Sequence, residues 1–309
     1  MGSAVSSVGS CVCGQKSIVV NNTRVWFKET IAEGGFSYVD LVKEDKKGTT
    51  CALKRILCHD DKAKQEALLE AKYYGMFKHE NIIPIIDHCI SHKRHLEEVF
   101  ILFPFYHLGT LYDQYQLLTY NTDKAELLTN KRILKLFLGI CEGLKVFHTY
   151  NPISYAHRDI KPANILLKTE DHPILMDLGS VAPAVVQIKN SRDAQSLQDL
   201  AAERCTLPYR APELFHVAMH SMIDEKVDIW SLGCVFFSLL YLEGPFDKVW
   251  LRKDSVALAV QNKNLPFPSE DNYPSSFREL AKMLLHTDAT KRPNITWIID
   301  HTKTLLEKY

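Results

Sequence analysis

Between Tyr155 and Leu167 the chain reads Tyr-Ala-His-Arg-Asp-Ile-Lys-Pro-Ala-Asn-Ile-Leu-Leu. Five charged or amide-bearing side chains (His157, Arg158, Asp159, Lys161 and Asn164) crowd into eight residues, and an apolar run follows at once. Upstream, Ile133, Leu136, Phe137, Ile140, Leu144 and Phe147 recur at three- and four-residue intervals. That spacing predicts a core-facing helix over 127–150, started by Thr129 or Asn130 as cap. Downstream, Ile174-Leu175-Met176 predicts a short strand that delivers Asp177-Leu178-Gly179, thirteen residues beyond Asn164. A lone His-Arg-Asp tripeptide is compatible with any surface loop. The eight-residue pattern followed at this spacing by Asp-x-Gly is far more restrictive.

Composition narrows the class. With 309 residues, 46% of them hydrophobic, the chain can bury a substantial core in one large or two small domains. Lys plus Arg and Asp plus Glu both number 37. No global basic field therefore argues for nucleic acid, and no nucleic-acid partner is expected. The apolar run Leu232–Leu242 is shorter than the roughly 20 residues that a membrane-spanning helix needs, so it is read as a buried core helix. Eight scattered cysteines without a C-x-x-C pair, and no apolar leader, predict free thiols in a reducing cytosolic setting, with neither a disulfide framework nor a zinc site.

The stretch around Asp159 resembles the catalytic loop and metal-binding triplet of protein kinases, H-R-D-x-x-x-x-N followed by D-F-G. The resemblance implies ATP and Mg²⁺ as cofactors. Asp159 would sit beside the attacking hydroxyl, Asn164 and Asp177 would ligate Mg²⁺, and Lys161 would offset charge on the transferred group. Ile31–Val39 looks like the glycine-rich loop, with Ala32, Glu33, Gly34, Gly35, Phe36, Ser37 and Val39 over the phosphates. Ala32 and Ser37 replace two of its glycines, and Gly34 keeps the central one. Cys51-Ala52-Leu53-Lys54 looks like V-A-I-K, which gives Lys54 to the α- and β-phosphates and Ala52 to the adenine pocket.

Residues 61–77 have helical spacing, with Ala67, Leu68, Ala71, Tyr74 and Phe77 as the apolar positions, and offer Glu70, with Glu66 one turn earlier as its rival, to pair with Lys54. The following His79-Glu80-Asn81-Ile82-Ile83 favours Glu70 by register. A first strand region is expected over Ile18–Val25 and a buried strand over Val99–Phe103. Phe103 takes the gatekeeper position and Pro104-Phe105-Tyr106 the hinge. Pro104 lacks an N–H but keeps its carbonyl, and Tyr106 keeps its N–H, so both groups used for adenine remain.

The segment from Asp177 ends in Thr206-Leu207-Pro208-Tyr209-Arg210-Ala211-Pro212-Glu213, similar to T-x-x-Y-x-A-P-E. Thr206 is expected to reach Asp159 and Lys161, Glu213 to pair with Arg292, and Asp228 to hold the catalytic-loop backbone. Within the segment, Ser196-Leu197-Gln198-Asp199 fits a capping box, and Ala194, Leu197, Leu200 and Ala201 form an apolar stripe. A short helix is expected from about Leu197 to Glu203. The alternative is a mobile loop ordered when Arg158 receives a phosphate on Ser191 or Ser196.

Met1-Gly2-Ser3-Ala4-Val5-Ser6 fits the myristoylation pattern M-G-x-x-x-[ST]. One myristoyl chain binds a membrane only marginally, and Lys16 is the only charged residue before Arg24. Palmitoylation of Cys11, Cys13 or both would supply the second signal.

Gly34–Val42, Ala52–Cys58, Asp177–Ser180 and Asp254–Asn262, together with the acylation signal, are similar to an acylated branch of the Numb-associated kinase family. Lys161, two residues after Asp159, is similar to serine/threonine kinases and not to tyrosine kinases. The resemblance implies an α+β, two-lobed kinase fold over residues 22–308, with a small β-rich N-lobe to about 105 and a helical C-lobe from about 106. An acylated segment over 1–21 precedes it. It also implies an extra helix in the activation segment, constitutive activity, autophosphorylation and protein substrates with Ser or Thr acceptors. The expected location is the cytoplasmic face of membranes, Golgi and perinuclear, with a cytosolic fraction. The rival reading is a catalytically weak kinase-like membrane scaffold, in which Lys54, Asp159, Asn164 or Asp177 would be missing; all four are present.

Overall fold

The chain divides into two units, residues 1–107 and 108–309. The computed structural model describes residues 16–93, 96–120, 128–262, 264–269 and 272–309. The expected acylation sites Gly2, Cys11 and Cys13 lie outside the described residues.

The first unit is an antiparallel sheet with one helix. Its strands are β1 (Ser17–Val20), β2 (Thr23–Glu33), β3 (Ser37–Glu44), β4 (Thr50–Cys58), β5 (Asp87–Lys93) and β6 (Leu96–Pro104), in the order β1-β2-β3-β4-β6-β5. The strand expected over Ile18–Val25 is two strands. The chain reverses between Val20 and Thr23, which pair with each other, and Asn21 takes φ 48°. Asparagine tolerates this left-handed geometry. Its Nδ2 donates to Asp87 Oδ1 (2.6 Å) and to the His88 carbonyl (2.7 Å), which ties the turn to β5. Ile18, Val20, Val25, Val42, Leu53, Phe100 and Leu102 form the apolar face of the sheet.

Helix α1 (Asp61–Met76) starts where Asp60 accepts the Ala63 N–H at 2.7 Å. It turns Ala67, Glu70, Ala71, Tyr73 and Tyr74 inward and packs on β4 and β6. Leu68, expected on the same face, is half-buried.

The second unit is mainly helical. It contains α2 (Leu111–Tyr120), α3 (Asn130–His148), α4 (Ser191–Arg204), α5 (Lys226–Tyr241), α6 (Asp247–Leu251), α7 (Val256–Ala259), α8 (Ser275–Leu284) and α9 (Ile295–Leu306). Its strands pair as three short ribbons: β7 (Tyr155–Ala156) with β10 (Ala182–Pro183), β8 (Ile165–Thr169) with β9 (His172–Leu175), and β11 (Val186–Ile188) with β12 (Ser221–Ile223). Thr129 is the cap of α3, accepting the Arg132 N–H at 3.2 Å. The helix runs from 130 to 148, shorter at both ends than the 127–150 expected.

Every residue of α5 from Val227 to Leu240 is buried. This explains why its sequence is apolar on all sides instead of striped. Glu213 grips Arg292 through two bonds, Nη1 to Oε1 at 2.6 Å and Nη2 to Oε2 at 2.8 Å, as the sequence predicts. Among the described residues no helix is long and apolar enough to cross a membrane.

The activation-segment helix exists but is longer than expected. It covers Ser191–Arg204 against the predicted 197–203, because the cap lies six residues upstream of Ser196. Asn190 Oδ1 accepts the Asp193 N–H (3.0 Å) and Asp193 Oδ2 accepts the Lys189 N–H (3.0 Å). Ser196 and Asp199 are mid-helix, where Gln195 Nε2 donates to Asp199 Oδ1 at 2.8 Å. The predicted stripe holds, since Ala194, Leu197 and Ala201 are buried with Leu200 packed beside them. Asn190→Ala should therefore cost about 1 kcal/mol of unfolding free energy in urea titration, whereas Ser196→Ala should stay within about 0.5 kcal/mol. The reverse order would place the cap at Ser196.

Candidate active site

Each unit gathers its own set of polar residues. In the second unit Asp159 is the hub. It is nearly buried, at 8% exposure, yet both carboxylate oxygens are engaged. Oδ1 accepts the Thr206 hydroxyl (2.6 Å) and backbone N–H (3.0 Å). Oδ2 accepts Asn164 Nδ2 (2.9 Å) and lies 2.8 Å from Lys161 Nζ. Lys161 Nζ also donates to Thr206 Oγ1 at 2.7 Å. An ammonium, an amide and a hydroxyl therefore fix the orientation of this carboxylate from several sides.

The local fold brings these groups together. Pro162 opens a short 3-10 turn over Pro162–Asn164, which points Asn164 back at Asp159. Asn164 Nδ2 makes two bonds, to the Asp159 carbonyl and to its Oδ2, both 2.9 Å. The amide is thereby oriented, and its oxygen is left as a hard donor for a cation. Met176 N–H donates to the Asn164 carbonyl at 3.0 Å, so Asp177 follows directly beside Asn164. Asp177 takes φ 63° and ψ 77°, a left-handed backbone that costs free energy in a non-glycine residue and concentrates at functional sites. Arg158 shares this feature, with φ 67°. Asn164 and Asp177 thus fit a divalent cation chemically, as adjacent oxygen donors.

Asp228 supports the whole loop. Its Oδ2 accepts the His157 N–H at 2.7 Å and its Oδ1 the Arg158 N–H at 2.8 Å. His148 Nε2 lies 2.9 Å from Oδ2. Burial pushes this carboxyl upward, but His148, His157 and the Arg158 N–H outweigh it and hold the group below its ordinary value. His148 carries no motif signal in the sequence. It closes α3, eighty residues before its partner, and only the fold joins them.

The activation segment is fastened at several points. Arg158 Nη2 donates to the Pro183 carbonyl (2.9 Å), Ser180 Oγ to the Arg204 carbonyl (3.0 Å), and Val217 N–H to Gln198 Oε1 (2.8 Å). Cys205, just before Thr206, is buried, and burial together with the Asp159 charge pushes its thiol up to about 12. Arg210 donates to the Cys205 carbonyl at 2.9 Å and packs on the Phe215 ring.

In the first unit Lys54 Nζ donates to Glu70 Oε1 at 2.7 Å. Register favoured Glu70, and the geometry agrees. Glu66 has a 41% exposed side chain and faces Lys62 instead. β3 places Val39 opposite Lys54 and Leu41 opposite Ala52. The loop Gly34-Gly35-Phe36 joins β2 to β3, with Ala32 across from Val39 and Glu33 across from Tyr38. Gly34 N–H donates to the Ser37 carbonyl at 2.8 Å, and a Cβ on Gly34 would come within 3.2 Å of Ser37 Oγ. Phe103 is buried near the end of β6, and Pro104 closes that strand opposite Cys51. Among the described residues the Tyr106 N–H makes no backbone bond, so this donor remains available to a ligand.

A neighbouring network carries no motif signal. Arg55 donates through Nε to Asp40 Oδ2 (2.5 Å) and through Nη1 to Glu98 Oε1 (3.3 Å), under the Tyr38 ring. Alternation of charged and apolar residues along β3 and β4 reads equally as a solvated face.

The protein kinase domain pattern matches residues 26–302. The chain belongs to the protein kinase family. Human serine/threonine-protein kinase 16 is 44% identical over 295 residues, which cover 96% of this chain and 94% of the relative. The mouse protein of that name is 43% identical with the same coverage. A probable serine/threonine-protein kinase of Dictyostelium discoideum is 32% identical over 367 residues, covering 98% of this chain and 99% of the relative. Membership implies use of ATP and a divalent metal.

Asp228 anchors the loop that carries Asp159, so Asp228→Ala should lower unfolding free energy by about 3–5 kcal/mol. The carboxyl is held below its ordinary value when folded, so its contribution is present above about pH 4 and is lost as pH falls through the folded value. Chemical denaturation of both proteins from pH 7 to 3 should show their difference shrinking only at the acid end.

Proposed function

We propose that this kinase transfers the γ-phosphoryl group of ATP, with Mg²⁺, to serine and threonine hydroxyls of proteins, its own included, while held on membranes by N-terminal acyl groups. The observation that carries the catalytic part is the bonded set of Asp159, Lys161, Asn164 and Thr206. Asp159 orients the attacking hydroxyl and accepts its proton. Lys161 lies beside it to offset the developing charge. Asn164 and Asp177 hold Mg²⁺, which would supply charge neutralisation at the phosphates.

Lys54, held by Glu70, binds the α- and β-phosphates. The backbone of 32–37 covers them, with Val39 and Ala52 lining the nucleotide site. Phe103, the Pro104 carbonyl and the Tyr106 N–H receive adenine. The names of the relatives, and Lys161 two residues after Asp159, support serine/threonine acceptors.

The capped, apolar-striped helix α4 supports activity without activation-segment phosphorylation. A scaffold with weak transfer activity draws support only from the single retained loop glycine, Gly34, and from Leu178 in place of the usual Phe. The intact Lys54–Glu70 and Asp159 sets favour the enzyme.

Purified Lys54→Met and Asp177→Asn should each lose about 100-fold or more in autophosphorylation while melting as cooperatively as the parent. Near-parental transfer by either variant in a radiolabelled ATP assay would contradict the assignment. Phosphatase-treated protein, verified by mass spectrometry, should phosphorylate a peptide from the first time point. A lag or no initial rate would favour the loop ordered by phosphate.

The membrane part rests on Gly2 and on Cys11 and Cys13, in a segment with no basic patch before Arg24 except Lys16. It extends to Golgi and perinuclear membranes by the family resemblance. Gly2→Ala should move the protein to the cytosolic fraction. Cys11→Ser with Cys13→Ser should leave weak, salt-insensitive and reversible attachment. Full membrane retention of the double cysteine variant on fractionation would show that two acyl signals are not required.

A further inference from the structure

Glu70 Oε1 accepts two donors. Lys54 Nζ is at 2.7 Å and the Tyr74 hydroxyl at 3.2 Å. Tyr74 is four residues beyond Glu70 on α1, so the two side chains stack on one helix face. Both residues are buried, at 5% and 2% exposure. The Tyr74 ring meets the Phe103 ring edge-on, with centroids 4.8 Å apart and planes at 70°. Packing alone would be served by an apolar residue here. A phenol hydroxyl taken out of water without a partner is costly, so its bond to Glu70 is part of what makes tyrosine tolerable at this position. An ionised carboxylate only accepts, which makes the Tyr74 O–H the donor.

We propose that Tyr74 is a positioning residue for nucleotide binding, acting through Glu70. Lys54 must serve two anions, Glu70 and the nucleotide phosphates. When the phosphates draw on the ammonium, the carboxylate loses part of one donor. The Tyr74 hydroxyl keeps Oε1 aimed at Lys54 through that exchange, and Phe103 keeps the Tyr74 ring from swinging away. The side chain of glutamate has three rotatable bonds, so without this second donor it spends more time in orientations that leave Lys54 unguided. The inference rests on the assignment of Lys54 to the phosphates made above.

The test is Tyr74→Phe, which removes the hydroxyl and keeps the ring. The KM for ATP should rise about 3- to 10-fold, with kcat within about twofold and the melting temperature within about 2 °C of the parent. A residue with a purely structural role would move the melting temperature and leave KM alone. Tyr74→Leu, which also removes the ring contact with Phe103, should add a loss of thermal stability. A double-mutant cycle in a Glu70→Ala background, read as nucleotide affinity by fluorescent ATP-analogue titration, should show no further loss from Tyr74→Phe.

An unchanged KM in Tyr74→Phe, or an undiminished loss in the Glu70→Ala background, would overturn the proposal. Lys54→Met in the same titration separates the two levels. If it binds nucleotide like the parent, the assignment of Lys54 falls and this proposal falls with it. If it loses binding while Tyr74→Phe does not, only the role of Tyr74 falls.

Discussion

The loop that carries Asp159 depends on one buried carboxylate. Asp228 sits on a helix with no solvent-facing side, and its two oxygens accept consecutive backbone N–H groups, from His157 and Arg158. A charge at such a place is tolerable only because every lone pair that matters has a donor. The arrangement fixes peptide planes more than side chains. It lets Arg158 hold a left-handed backbone and sets the direction in which Asp159 leaves the loop. Thr206, Lys161 and Asn164 then close around Asp159. The 3-10 turn at Pro162 and the bond from Met176 to Asn164 bring the Asp177 strand alongside. The order of dependence runs from the core helix outward, so the groups gathered at Asp159 inherit their precision from the least accessible part of the unit.

Much of this was legible in the sequence, for a definable reason. The pairings of Lys54 with Glu70, of Thr206 with Asp159 and Lys161, and of Glu213 with Arg292 come from short patterns in which spacing encodes geometry, and the structure contains each of them. Partnerships across long stretches of sequence, with no pattern to flag them, were not legible. His148 with Asp228, Arg55 with Asp40 and Glu98, and Gln198 with Val217 are of this kind. Tyr74 was read only as an apolar helix position, because periodicity reports burial and is silent on hydroxyls.

Boundaries were the other weakness. Ser196-Leu197-Gln198-Asp199 satisfies the capping-box pattern, but Asn190 and Asp193 cap the helix six residues earlier, accepting the Asp193 and Lys189 N–H groups. A helix nucleated upstream can extend through a serine, whereas a cap must have non-helical backbone. The hairpin at Asn21 was missed similarly. Two asparagines between apolar runs are a turn signal, and the apolar residues on both sides made one strand the simpler reading.

The fold also decides which chemistry the segment beside the active site is closed to. Cys205 precedes Thr206 and feels the Asp159 charge, a position from which an oxidised sulfur would disturb both. With its thiol pushed up to about 12, roughly one molecule in 10⁵ carries the nucleophilic thiolate at neutral pH. The other described cysteines, at 51, 58, 89, 141 and 234, are buried as well. Peroxide and alkylating electrophiles react through thiolate, so burial beside Asp159 makes Cys205 a poor target for them in the folded protein.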